Sequence, residues 1–282
     1  MNLTTEKAYA KINLTLSIGK KRYDGYHDIE TIMQPVTIYD TVLLEKSGDI
    51  KVFCSDPKIP HDKSNLAFKA AEAFFSCAKI SEGVNIKIRK RIPVGGGLGG
   101  GSADAAAVLR GLNLLYSTEF SNDQLVELAA QIGSDVPFFI YNKTAICRGR
   151  GEIVIPILQK GCYYYVICSK GKGVNTRRMY EKSDGFEHAS HDSTNVLKAL
   201  SMHDLPLLFS NIYNDFDPIC GSFRESVERI KKLLLQNGAH AAQLTGSGIS
   251  VFGIFSSFEK AAFAAKEIFA AEKCFSAAAS SL

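Results

Sequence analysis

Six glycines fall within seven consecutive positions, at Gly95, Gly96, Gly97, Gly99, Gly100 and Gly101, and the residues on either side fix what kind of turn they make. Upstream, Val84, Ile86, Ile88 and Ile92 alternate with Lys87, Arg89 and Arg91, the period of a half-buried strand over residues 84–92. Downstream, Ser102-Ala103-Asp104-Ala105-Ala106-Ala107 reads as an alanine-rich helix capped by Ser102. Ordering so many glycines costs backbone entropy that needs a return. Without side chains, consecutive N–H groups wrap an anion, and the helix N-terminus adds its partial positive charge. A loop that needed only flexibility would mix in Ser and Asn and would not join a strand to a helix. The segment therefore reads as a phosphate cradle. It lacks the G-K-[ST] of a P-loop, since Gly101-Ser102-Ala103 has no lysine in that slot. Gly95, Gly97 and Gly100 satisfy the dinucleotide fingerprint formally, but the acid about 20 residues on is Glu119, in a stretch without strand character. The H-R-D and D-F-G segments of protein kinases are missing as well.

Lys90 breaks the strand pattern by falling on its apolar side, where an ammonium needs an anionic partner unless it snorkels to water. A second lysine is placed by alternation too. Over residues 8–18, Ala8, Ala10, Ile12, Leu14, Leu16 and Ile18 take one face, while Lys11 and Asn13 lie side by side on the other, ~7 Å apart at two residues of strand rise. An edge-strand surface lysine is the plain alternative for Lys11.

A glycine-containing turn at residues 20–25 leads into a β-rich stretch at 31–44, and Ser64-Asn65 opens a helix whose apolar face is Leu66, Ala67, Ala70, Ala71, Phe74 and Phe75. Ser121 and Gln124 form a capping box for a helix that stops at Gly133. Residues 144–156 read as a hairpin turning at Gly149-Arg150-Gly151. A β-rich run at 162–168, helices near 194–200 and 224–237, a strand at 250–255 and a helix at 256–272 with Glu259 at its third position complete the order. Asn214-Asp215 reads as a loop before a helix start, and Arg148 and Arg150 as solvated turn charges. The class is α+β. A length of 282 residues favours two domains, cut at 158/159.

Thirty-three Lys plus Arg against 29 Asp plus Glu give a net charge of +4, too small and dispersed for a nucleic-acid footprint but compatible with small anionic ligands. Seven cysteines, with no C-x-x-C, suggest neither a disulfide framework nor a zinc cluster but reduced, mostly buried thiols. The apolar runs are strand-sized and the first residues carry Glu6 and Lys7, so neither a membrane span nor a signal core is expected, and a cytoplasmic protein is.

The run from Pro93 to Ala106, with Ala10-Lys11-Ile12-Asn13 near the start and Leu244-Thr245-Gly246-Ser247-Gly248 near the end, resembles the three-motif signature of the GHMP kinases. Asp24-Gly25-Tyr26-His27 and Gly133-Ser134-Asp135-Val136-Pro137-Phe138 fit the same family, in the same order. The resemblance runs from Tyr9 to Phe255 and weakens between residues 161 and 235. It implies a two-domain GHMP kinase fold, with a ribosomal-protein-S5-like α/β domain over 1–158 and a ferredoxin-like α+β domain over 159–282. It further implies transfer of phosphate from ATP to the 2-hydroxyl of a small cytidine-diphosphate-linked alcohol in the non-mevalonate isoprenoid pathway. Other small-molecule GHMP kinases, of homoserine or mevalonate type, and a non-catalytic nucleotide-binding regulator are the alternatives.

On this resemblance Pro93, Val94, Gly95, Gly96, Gly97, Leu98, Gly99, Gly100, Gly101 and Ser102 hold the ATP phosphates, with Lys90 on the nucleotide side. Mg²⁺ travels with ATP, and no protein ligand for it is assigned. Asp135 alone reads as a helix N-cap; the resemblance makes it the group that accepts the hydroxyl proton, with Lys11 beside it. A loose phosphoryl-transfer transition state needs little proton removal until late, so a weakly basic carboxylate suffices. Substrate contacts are expected from Asn13, Tyr26, His27, Asn65, Thr176, Tyr180, Gly246 and Ser247. Tyr26 and Tyr180 would sandwich a cytosine while His27 reads its edge, although Tyr26 could equally be core. The expected partners are these two small molecules, without nucleic acid or membrane, and the expected state is a monomer or weak homodimer.

Overall fold

The computed structural model describes residues 2–171, 173, 175–186 and 191–282. Two long strands open it, β1 (Leu3–Lys21) and β2 (His27–Ser47), joined by a turn in which Arg22 N–H donates to Tyr26 O and Gly25 takes a left-handed φ of 83°. They lie side by side in a sheet ordered β3-β4-β2-β1-β8, with a β5–β6 hairpin attached to β2. The added strands are β3 (Lys51–Cys54), β4 (Gly83–Arg89), β5 (Ala145–Arg148), β6 (Ile153–Pro156), β7 (Tyr164–Ser169) and β8 (Tyr213–Asn214), of which β7 belongs to a second sheet.

Packing divides the chain into two compact units, each built from more than one stretch of sequence. The first unit is Met1–Ala10, Ile38–Ile92 and Gly99–Asn142; the second is Lys11–Thr37, Pro93–Leu98 and Lys143–Leu282. The physical reason is strand length: β1 and β2, at 19 and 21 residues, outrun a single core and contribute to both units.

In the first unit four helices pack among themselves, α1 (Leu66–Ala78), α2 (Gly100–Tyr116), α3 (Asn122–Ile132) and α4 (Val136–Tyr141). Their apolar stripes supply Ala70, Phe74, Ala105, Leu109, Leu112, Leu125 and Phe138 to the interior. Gly111 lets α2 approach β2, since a Cβ there would stand 2.4 Å from Leu44 Cδ1. The α3 capping box of Ser121 and Gln124 is present as expected.

The second unit carries the other sheet, antiparallel and ordered β11-β7-β10-β9, with β9 (Ala241–Thr245), β10 (Ser250–Phe255) and β11 (Phe275–Ser280). Short helices α5 (Thr176–Ser183), α6 (Thr194–Met202) and α7 (Leu205–Asn211) follow β7, and α8 (Arg224–Gln236) and α9 (Phe258–Glu272) bracket β9 and β10. Read as β7-α8-β9-β10-α9-β11, the order 4-1-3-2 is the ferredoxin-like arrangement the resemblance implied. Val227, Ile230 and Leu234 of α8 and Ala261, Ala264 and Ile268 of α9 close one core with Val166, Leu244 and Val251.

Three helix and strand ends differ from expectation. Ser102 does not cap α2; the helix begins at Gly100 behind Gly99, whose left-handed φ of 74° only glycine adopts cheaply. Ser257 caps α9 by accepting from Lys260 N–H, which puts Glu259 second in the helix. Strand β4 ends at Arg89, because the Asp40 carboxylate takes the backbone N–H groups of Arg91 and Ile92 that a strand would have offered its neighbour. None of the seven cysteines is in a disulfide, and four of them are buried.

Candidate active site

In the first unit, Lys90 follows the strand parity and is buried, its side chain 7% exposed. Its anionic partner is a pair of protein carboxylates: Nζ lies 2.5 Å from Asp40 Oδ2 and 2.6 Å from Asp104 Oδ2. Burial works against the ammonium, but Asp104 and Asp40 outweigh it and hold the Lys90 pKa above its ordinary value. Two buried carboxylates share one cation, and the balance falls on Asp104. Burial first, helped by the Asp40 charge and opposed by Lys90, pushes its pKa up to about 7, and its Oδ1 has no hydrogen-bond partner.

The consequence for stability has a definite sign. Between the unfolded value near 4 and the folded value near 7, the native protein holds a proton that the unfolded chain lacks, so raising the pH through this window costs stability. Asp104→Asn keeps an acceptor for Lys90 and removes the titration. Its melting temperature relative to wild type should therefore rise between pH 5 and pH 8; a pH-independent difference would show that Asp104 is ionised throughout.

The glycines separate into two kinds. Within the second unit, a Cβ on Gly95 would stand 2.8 Å from Gly173 Cα, and one on Gly97 would stand 2.9 Å from Thr245 O. A Cβ on Gly248 would reach the Gly96 carbonyl carbon at 2.6 Å, and one on Gly246 the Gly97 oxygen at 2.9 Å. Two glycine runs thus pack backbone on backbone, and side chains are excluded there by the protein itself. In the first unit Gly101 is different: it is exposed in the first turn of α2, and a Cβ would meet only Leu66 Cδ1, at 3.7 Å. The fold does not require glycine at 101.

Lys11 lies in the second unit and is 4% exposed, not an edge-strand surface lysine. Its backbone N–H donates to Leu98 O at 3.0 Å and its Nζ to Asn13 Oδ1 at 2.8 Å. Asn13, expected at the substrate, spends its polar atoms internally on Lys11, Thr31 and Thr245. Asp135 lies in the first unit at the N-cap position of α4, with Pro137 behind it, and makes no side-chain capping hydrogen bond. Asn65 does cap: its Oδ1 accepts from Ala67 N–H at 2.8 Å and its Nδ2 donates to Pro60 O at 2.7 Å.

Of the rings expected at the cytosine, His27 and Tyr180 stack on each other. His27 lies against Tyr180, with ring centroids 5.4 Å apart and planes 16° apart, and Phe216 meets Tyr180 edge-on. His27 Nε2 lies 2.7 Å from Asp184 Oδ1, and Lys21 holds the other Asp184 oxygen at 2.5 Å. The Lys21 and His27 hydrogen bonds hold the Asp184 carboxyl below its ordinary pKa, so it accepts and Nε2 carries the proton. The His27 Nδ1 is buried without a partner. Tyr26 is not core: it is 53% exposed, with the Arg150 guanidinium 5.1 Å from its ring centre. Arg148 and Arg150 pair with Glu30 and Glu152. Ser247 and Thr176, both expected at the substrate, are brought together at 3.0 Å.

Two residues escaped the sequence reading. Asn214 is buried in β8, not in a loop, and its Nδ2 donates to Leu244 O at 3.0 Å and Gly246 O at 2.9 Å, pinning the turn that packs on the glycine loop. Asp215 accepts from Ile18 N–H at 2.8 Å. Polar residues beside a short parallel strand were the available signal. Among the described residues no group of three or more His, Cys, Asp or Glu could hold a metal ion, and no helix is long and apolar enough to cross a membrane.

Residues 65–143 match the GHMP kinases N terminal domain and residues 196–273 the GHMP kinases C terminal domain. A 4-diphosphocytidyl-2-C-methyl-D-erythritol kinase of Clostridium tetani is 42% identical over 251 residues, covering 88% of this chain and 90% of the relative. One of Acetivibrio thermocellus is 39% identical over 260 residues, covering 92% of each. A solved structure of 4-(cytidine 5'-diphospho)-2C-methyl-D-erythritol kinase superposes with a TM-score of 0.82 at 29% identity, covering 98% of this chain and 99% of that one. The chain belongs to the GHMP kinase family, in its 4-diphosphocytidyl-2-C-methyl-D-erythritol kinase branch.

Proposed function

We propose that the protein transfers the γ-phosphoryl group of ATP to the 2-hydroxyl of 4-diphosphocytidyl-2-C-methyl-D-erythritol, a step of the non-mevalonate isoprenoid pathway. The carrying observation is the 42% identity to a kinase of that name across nine-tenths of its length. The open backbone at Gly101 in the first turn of α2 supports phosphate binding by residues 93–102. Asp135 accepts the hydroxyl proton, in keeping with a carboxylate at a cap position that does not cap. Lys11 supplies positive charge to the transferring group. Ser102, in the first turn of α2, carries the hydroxyl that would hold the Mg²⁺ accompanying ATP, which would supply charge neutralisation of the phosphates. Lys90, already paired twice, serves ATP by fixing the chain that leads into the loop.

The cytosine is read by Tyr26, His27 and Tyr180, with Thr176, Ser247 and Gly246 near the rest of the substrate and Asn13 and Asn65 holding their own segments in place. The enzyme works in the cytoplasm as a monomer or weak homodimer, without nucleic-acid or membrane partners.

ATP consumption against a panel of alcohols tests the assignment. The cytidine-diphosphate alcohol should be phosphorylated, homoserine and mevalonate should not, and CDP should compete with the alcohol rather than with ATP. Tyr26→Ala should raise the KM for the alcohol ~10-fold with little change for ATP, the scale of one lost stacking partner. Turnover of homoserine or mevalonate with indifference to CDP would overturn the substrate; ATP binding without turnover of any alcohol would favour a regulator.

A further inference from the structure

The buried polar run that ends on Lys11 has only one possible polarity. The Thr15 carbonyl can only accept, and Thr31 Oγ1 donates to it at 2.5 Å. With its single proton committed, Thr31 Oγ1 is an acceptor toward Asn13, whose Nδ2 donates to it at 2.8 Å. The Asn13 amide is thereby oriented with its oxygen toward Lys11, whose ammonium carries donors only and donates to Oδ1 at 2.8 Å. Thr245 closes the network from the other side: its Oγ1 accepts from the Asn13 backbone N–H at 2.8 Å and donates to Asn13 Oδ1 at 3.3 Å. Reversing the amide would set its NH₂ against the ammonium and against the Thr245 proton at once.

Thr15, Thr31 and Thr245 are fully buried and Asn13 nearly so, which leaves bulk water unable to replace a missing partner. We propose that Thr31 and Thr245 are positioning residues for Lys11, fixing the Asn13 amide and through it the place of the ammonium. Thr245 also reaches the glycine loop, because its carbonyl is the atom a Cβ on Gly97 would strike. Lys11 is tied to the same loop through Leu98 O. The ammonium and the phosphate-binding backbone are thus referenced to the same residues. This inference rests on the role given to Lys11 in the proposed reaction.

Thr245→Val and Thr31→Val keep the side-chain shape and remove the hydroxyl, whereas Thr245→Ser keeps it. With ATP and the cytidine-diphosphate alcohol, each valine variant should lower kcat ~10-fold with both KM values within about twofold, the scale expected when a reacting group is misplaced by less than an ångström. Thr245→Ser should retain kcat. In a Lys11→Met background, adding Thr245→Val should lower kcat no further, a non-additivity that lost stability alone does not produce. A Thr245→Val enzyme with normal kcat beside a slow Lys11→Met enzyme overturns this inference alone. Equal losses for Val and Ser, or an undiminished effect of Thr245→Val in the Lys11→Met background, overturn it too. Full turnover in Lys11→Met removes the proposed role of Lys11 and the inference with it. Since Thr31 also holds Thr15, a Thr31→Val protein that does not fold leaves the Thr245 series as the deciding measurement.

Discussion

Asp135→Asn should lower kcat by ~10²-fold or more, while the ATP affinity and melting temperature stay close to wild type. The two halves of this expectation have different causes. Losing a positioned base removes a proton acceptor that the transition state uses, an effect worth 10²–10⁴-fold in general acid–base catalysis. On the stability side, Asp135 at the N-cap position of α4 makes no side-chain capping hydrogen bond, so the ~1 kcal/mol that a working N-cap contributes is not at stake, and asparagine keeps the side chain's shape. Steady-state kinetics, calorimetric titration with ATP and a thermal melt on the same preparation separate the effects. Near-normal turnover with a lowered melting temperature would return Asp135 to the structural role its place before Pro137 first suggests. Lys11→Met should depress kcat as well, by removing charge from the transferring phosphoryl group.

What could be read from the sequence, and what could not, follows from the range of each interaction. The parity that puts Lys90 inside is local and was legible. Its partners were not, because Asp40 lies 50 residues away and becomes a neighbour only through the register that sets Thr41 opposite Arg89. The glycine run announces a special turn, yet its division into packing glycines and an open one depends on Gly173, Thr245 and Gly248, distant in sequence. Strand β11, Phe-Ser-Ala-Ala-Ala-Ser, lacks the β-branched residues that advertise strands and exists because β7 offers it a complete antiparallel edge. The sequence suggests His27 and Tyr180 for one cytosine, as edge reader and stacking face, without a contact between them. Their stacking on each other, and the Asp184 carboxylate behind His27, arise where α5 meets the start of β2 within the second unit.

Gly97 and Gly101 should respond to alanine in opposite ways. At Gly97 the backbone is left-handed, with φ of 81°, and the new Cβ would stand 2.9 Å from Thr245 O and 3.3 Å from Gly248 N, backbone atoms that cannot swing aside. The conformational penalty of ~1–2 kcal/mol and an overpacking penalty of similar size add, so Gly97→Ala should destabilise the protein by about 2 kcal/mol or more and weaken ATP binding by displacing the loop. Gly101 is helical and open, with Leu66 Cδ1 at an ordinary 3.7 Å. There alanine should leave stability unchanged or raise it by up to about 1 kcal/mol, as glycine-to-alanine changes in helices do. Its methyl would occupy the approach to the first-turn N–H groups, and the KM for ATP should rise ~10-fold or more with the KM for the alcohol unaltered. A more stable protein that binds ATP worse is the signature of a glycine kept for a ligand. Unchanged ATP kinetics in Gly101→Ala would mean that phosphate does not approach this turn and that the glycines of the loop serve only the chain's own packing.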